Sequence, residues 1–250
     1  MATENRVSSA IIKSLGIFLG LVALGYFIHT TRMPENTVSV KGLATREVKA
    51  NNAVLEIDYR EVGANLITLS QKINHDQEQV LSFLKTKGFQ ITEVQPIAAK
   101  VNDAFANSYG SSNNSVELAK HRYTLTGGVL IHSANVDLVQ QTNQQTSALL
   151  TAGVPLSFDT TLYPNPTYFY SSLDSIRPQM LAEATQSARL VAEQFAKDSN
   201  SQIGNIRRAS QGQFQIMSRD SDEAGNSQQQ LSSIYKKIRL VTTVDYYLKK

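Results

Sequence analysis

Three observations predict an α+β fold in which helices pack on one face of largely antiparallel sheet. Apolar periodicity along the chain alternates between two and about 3.6 residues, and the changes fall at turn-forming residues. The segments so marked follow the order ββαββαβαββ, which suits a layered α+β arrangement. With no cysteine among 250 residues, no disulfide framework replaces a hydrophobic core, and the chain is long enough to bury one large core or two small ones.

An uncharged apolar run, residues 14–28, precedes the layered part and follows Arg6 and Lys13. At about 1.5 Å per helical residue it reaches roughly 22 Å, or roughly 28 Å counted from Ala10, close to the ~30 Å hydrocarbon core of a bilayer. Lys13 lies one turn from that end, and its ammonium can extend to the headgroups. Residues 10–28 are therefore read as a transmembrane signal-anchor helix contacting the lipid bilayer, with 1–9 in the cytoplasm and 29–37 as a linker. Arg6, Lys13 and the terminal amine outweigh Glu4, which puts the remainder on the extracytoplasmic or periplasmic side of the inner membrane. A cleaved secretory signal is the alternative; the lack of an Ala-x-Ala pattern after the core favours the anchor. Gly16, Gly20 and Gly25 disfavour a buried soluble helix, because glycine is costly there and common in lipid.

The first strands are expected at 38–40 and 53–59, joined across Gly42 to Asn52. Leu66, Leu69, Ile73, Val80 and Leu84 then share one helical stripe, with Gln71, Lys72, His75, Asp76 and Glu78 on the remaining surface and Gly88 as the stop. A strand at 89–94 is separated by the Asn-, Ser- and Gly-rich segment 102–115 from a strand at 123–132. Asn135 caps a helix carrying Val136, Val139, Thr146, Leu149 and Leu150, which Gly153 and Pro155 end. Leu156, Phe158, Thr160 and Leu162 alternate along the next strand. A long helix at 175–198 repeats Leu181, Ala184, Ala188, Val191 and Phe195 at three and four. Strands at 206–217 and 234–248 close the chain across a polar loop.

Several of these runs resemble the SIMPL-domain family of exported bacterial proteins: Val38-Ser39-Val40-Lys41-Gly42-Leu43-Ala44, the helix segment from Ser187 to Ala196, and Ile203-Gly204-Asn205-Ile206. The segment Ile176-Arg177-Pro178-Gln179-Met180-Leu181-Ala182-Glu183-Ala184-Thr185, with Arg208-Ala209-Ser210-Gln211-Gly212-Gln213-Phe214, is similar to one membrane-anchored branch of it. Ser187 and Val191 stand where the family often has Asp and Lys, so those positions are no obligatory charged site here. The resemblance implies a two-part α+β domain over 38–248, a larger part of 38–101 plus 172–248 with a βαβ-containing unit inserted at about 102–171. It also implies a tendency to ring-like homo-oligomers and a loose association with envelope and oxidative-stress tolerance. It brings no catalytic residues.

The residues themselves point the same way. His29, His75, His121 and His132 lack the i, i+4 pairing or carboxylate neighbours of a metal site. No Gly-x-Ser-x-Gly elbow is present, and Gly127-Gly128, inside a strand, reads as a bulge or close backbone approach. The expectation is no catalytic constellation, no metal and no cofactor. The formal charge of +3, from 24 basic and 21 acidic residues, is too small for a nucleic-acid-binding face, and no nucleic-acid partner is expected. Tyr163, Tyr168, Phe169 and Tyr170 form an aromatic group suited either to an oligomer contact or to ordinary edge-of-core packing. Tyr235-Lys236-Lys237-Ile238-Arg239 suits anionic lipid or acidic partners, but is read first as edge protection on a strand. The function expected is non-enzymatic self-association, as a membrane-anchored extracytoplasmic scaffold. A small-ligand binding module or hydrolase with a cleft between the two parts is the runner-up.

Overall fold

The computed structural model describes residues 20–23, 25–26, 36–106, 119–157, 165–221 and 227–249. Most of the expected anchor and linker, the tip of the 102–115 segment, and 158–164 lie outside these residues. No helix among the described residues is long and apolar enough to cross a membrane. The elements in order are β1 (Thr37–Lys49), β2 (Asn52–Gly63), α1 (Leu66–Lys87), a 3-10 turn (Ile91–Glu93), β3 (Val94–Asp103), β4 (Tyr123–Ser133), α2 (Val136–Gln144), α3 (Ser147–Thr151), β5 (Leu156–Ser157), β6 (Thr167–Phe169), α4 (Leu173–Asp198), β7 (Gln202–Gln211), β8 (Gln215–Ser218), α5 (Ser227–Ser232) and β9 (Tyr235–Lys249). They form two antiparallel sheets with helices. One runs β1-β9-β7, with β8 also on β9; the other runs β3-β4-β2-β5, with β6 also on β2.

The chain divides into two compact units. The first takes 36–42, Ala188–Ser210 and 243–249; the second takes Leu43–Ser187 and Gln211–Thr242. Strands β1 and β9 and helix α4 each contribute to both units.

In the second unit, α1 forms because Asn65 Oδ1 accepts from the Ile67 and Thr68 amides at 2.9 and 3.2 Å, and it ends where Gly88 turns left-handed at φ 98°. Its buried stripe is Leu69, Ile73, Asp76, Val80 and Leu84. Asp76 thus lies inside, where the spacing from Ile73 and Val80 puts it, and not on the outer surface; Leu66 is largely exposed. Beneath the helix, Ala53, Leu55, Ile57 and Tyr59 of β2 point inward with Leu125, Val129 and Ile131 of β4. Tyr59 faces Gly127 across the ladder. A Cβ on Gly127 would meet Tyr59 Cε2 at 2.7 Å, so the close approach expected of this glycine is a ring lying over bare backbone.

Other boundaries move for local reasons. The strand expected to stop at Val40 runs to Lys49, because Ala44 and Val48 continue the inward side with little hydrophobic contrast. The single helix expected after Asn135 is two, parted at Gln145 and Thr146, where the Thr146 hydroxyl donates to the Asn143 carbonyl at 2.9 Å. The strand expected at 156–162 is a two-residue pairing, Leu156–Ser157, among the described residues. The strand expected at 206–217 is interrupted at Gly212, whose amide donates to Val241 O at 2.9 Å and whose Cβ would come within 2.6 Å of that oxygen.

Around α4 the inward side is Met180, Ala184, Ala188, Ala192 and Ala196, a strict i, i+4 row. In the first unit, Ala188 and Ala192 pack with Val40, Val244 and Tyr246. In the second, Met180 and Ala184 pack with Ala44, Ile238 and Leu240. The expected stripe members Val191 and Phe195 face outward instead, as does Leu190. Small side chains let the helix backbone lie close to the sheet, and this outcompetes hydrophobicity in choosing the inner face.

Gly127→Ala tests the packing directly. The added methyl has no room, since Tyr59 is fully buried, and the expected loss is about 1–3 kcal/mol, read from the urea midpoint of equilibrium unfolding.

Candidate functional site

Strand β9 buries its even-numbered side chains from Lys236 to Tyr246. Lys236 therefore points into the second unit, only 2% exposed, and its Nζ donates to the Gln230 carbonyl of α5. Burial pushes its pKa down to about 8. Directly opposite in register sits Ser218 of β8, equally buried, with an Oγ that has no partner among the described residues. A serine hydroxyl facing an amine of lowered basicity has the composition of a nucleophile and base. Its geometry is otherwise: the amine is engaged by a carbonyl, and both side chains are shut from solvent.

A second polar pair lies beneath α1. Asp76 and Tyr59 each carry a buried oxygen without a hydrogen-bond partner among the described residues. Burial first, then the nearby Glu61, holds the Asp76 carboxyl above its usual range, while His75 and Lys72 pull it the other way. The Tyr59 phenol is pushed up to about 12, by burial first and then by Asp76 and Asp58. Both shifts favour the neutral forms, as expected for polar groups set in an apolar layer. No group of three or more metal-ligating side chains occurs among the described residues.

A small hollow opens beside β2, lined by Glu56, Asp58, Asn143, Thr146, Ser157 and Asn165 among others. Asn165 makes it: the side-chain oxygen accepts from the Glu56 amide at 3.0 Å, and the side-chain nitrogen donates to the Glu56 carbonyl. One side chain thus stands in for a strand residue between the β5 and β6 pairings on β2.

The aromatic group is split. Tyr168 is buried in β6, Tyr170 packs against the Met180 cluster, and Phe169 alone of the described members shows its ring, at 42% exposure. Tyr163 lies outside the described residues. The run 235–239 is not on an edge, because β9 has strands on both sides; edge protection is therefore not its role. Lys236 and Ile238 point inward, while Tyr235 lies under the Arg219 guanidinium at 5.0 Å. The inward lysine was findable by counting back in twos from Ile238, Leu240, Val244 and Tyr246.

Among the described residues the sheet edges are elsewhere. Strand β3 is an edge guarded by Pro96, Lys100 and a register shift between Ile97 and Lys100. In the first unit β9 lies between β1 and β7, and the Leu248 amide donates to Asn36 O at 2.8 Å. Strand β7 spans ten residues, has no proline, and is exposed along nearly its whole length. Strand β1 likewise contains no proline over thirteen residues.

A family model matches residues 38–245; it is that of SIMPL, described as a protein family of unknown function. No curated protein matches the chain.

Lys236 gives a signed pH dependence. Its folded pKa of about 8 lies below the model-peptide 10.5, so between those values the unfolded chain binds more protons and stability rises with pH. Unfolding free energy should increase by roughly 2 kcal/mol between about pH 7 and pH 10, below the range where Tyr59 titrates. In Lys236→Met the rise should flatten; a persistent rise in urea titrations would place its origin elsewhere.

Proposed function

The chain belongs to the SIMPL family, and on that premise we propose that it works without catalysis, as a single-pass membrane-anchored extracytoplasmic protein that self-associates in envelope or oxidative-stress tolerance. One observation carries the self-association: among the described residues the sheet built on β9 ends in two long, proline-free strands, β1 and β7, on opposite sides of β9. Unpaired edge amides and carbonyls are templates for another strand, and soluble proteins normally blunt them as β3 is blunted here. Joining β1 of one copy to β7 of the next is a heterologous contact, which closes into a ring when the rotation allows.

The anchor supports the same reading physically. A helix over 10–28 confines copies to a plane and raises their effective concentration, so a contact worth little in free solution becomes sufficient. The apolar length and the basic flank of Arg6 and Lys13 are the support for that placement.

Two measurements test this. Native mass spectrometry of detergent-extracted full-length chain should give a closed homo-oligomer, and Ile206→Lys, which adds a charge to the β7 edge, should shift it to monomer with an unchanged melting temperature. A purely monomeric wild type at micromolar concentration would remove the mechanism. Separately, the full chain should stay with the membrane pellet through alkaline carbonate extraction; release into the supernatant would refute anchoring.

A further inference from the structure

In the first unit the sheet has one face on α4 and, among the described residues, one face open. The side chains on the open face follow from strand parity. Val40, Val244 and Tyr246 point to the helix, so Ser39, Lys41, Asp245, Tyr247 and Lys249 point away. On β7, Ile203 packs inward, and Gly204, Ile206 and Arg208 take the open side. A Cβ on Gly204 would lie 3.2 Å from Tyr247 Cβ and 3.3 Å from Lys249 Cε, so the absent side chain leaves a groove in which the Lys249 stem lies across β7.

This face carries Lys41, Arg208 and Lys249 against one carboxylate, Asp245, with Tyr247 and a 48% exposed Ile206 between them. On the helix side of the same unit Arg189 is paired to Glu193 at 3.0 Å and Lys197 is offset by Asp198, which leaves Arg207 in the charge count. The larger part of the unit's positive excess therefore sits on the open sheet. Cations interspersed with tyrosine and a branched aliphatic side chain are the composition that suits the headgroup layer.

We propose that this open face, through Lys41, Arg208 and Lys249, docks on anionic phospholipid headgroups of the leaflet in which the chain is anchored. The inference rests on the anchored reading above. Reach supplies the argument for this occupant: residues 29–35 extend at most about 25 Å, so Asn36, bonded to the end of β9 at Leu248, cannot leave the vicinity of the membrane. Each cation at an anionic leaflet is favoured roughly fivefold, so a net excess of two favours the docked orientation roughly 25-fold. That is too little to recruit a free protein and enough to orient a tethered one.

The chain has no cysteine, so Ser39→Cys on the open face and Leu190→Cys on the helix face each offer one labelling site. The full chain is labelled with bimane and reconstituted in vesicles of phosphatidylcholine, alone or mixed with phosphatidylglycerol, containing a headgroup-spin-labelled lipid as quencher. With phosphatidylglycerol, quenching at position 39 should exceed that at 190 by about threefold or more. It should fall towards the value at 190 in phosphatidylcholine alone, at about 1 M salt, and in Lys41→Glu/Arg208→Glu. Equal quenching at the two positions, or a difference indifferent to lipid charge and salt, overturns the docking while the chain remains carbonate-resistant. Release of the chain by carbonate overturns the anchored reading and the docking with it.

Discussion

The structure depends on one strand. β9 has neighbours on both sides and turns every even side chain from Lys236 to Tyr246 to the same face. That face fixes where α4 lies, and the alanine row of α4 fixes how closely. Burying an alanine removes little apolar area, about 25 cal/mol per Å2 of what is covered, so the row contributes through proximity: methyl-sized knobs let the larger Ile238, Leu240, Val244 and Tyr246 fill the layer. The consequence appears on the outside, where Leu190, Val191 and Phe195 are left to solvent.

This explains what was legible in the sequence. The α+β class, the capped helix after Asn65 and the inward side of β2 follow from periodicity, because there large apolar residues alternate with polar ones. Along α4 the same rule selects the wrong row: Val191 and Phe195 are more hydrophobic than Ala192 and Ala196, yet the alanines are inside. Hydrophobicity ranks residues singly, whereas a close helix-sheet approach ranks them by size. The extension of β1 to Lys49 was hidden for a related reason, since Ala44 is its only fully buried member past Gly42. The Asn165 bridge has no local signal at all, because its partner, Glu56, is 109 positions away.

Buried polar groups show which constraints the fold tolerates. Lys236, Ser218 and Thr242 lie on the same inward side as the β9 core residues. A lysine held near pKa 8 costs about 3 kcal/mol at neutral pH, a large share of a typical 5–15 kcal/mol net stability. What it contributes is register. Slipping β9 by one residue would turn Ile238, Leu240, Val244 and Tyr246 to solvent, and would remove the ammonium from the Gln230 carbonyl that satisfies it. The apolar and the ionic penalties then fall on the same error.

The same accounting separates the two sheets as surfaces. Strand β3 combines proline, lysine and a register shift, three devices that each weaken strand addition. On β7 there is no proline and the device in the sequence is charge, at Arg207 and Arg208, which a suitable surface can neutralise. On the proposed reading, an anionic leaflet beside Arg208 would lower the repulsion between adjoining copies, and the effect would be confined to within roughly 8 Å of the headgroups at physiological salt. Tethering, headgroup contact and edge pairing would, on that reading, be coupled in one direction: whatever brought the open sheet to the lipid would also weaken the charge guard on β7.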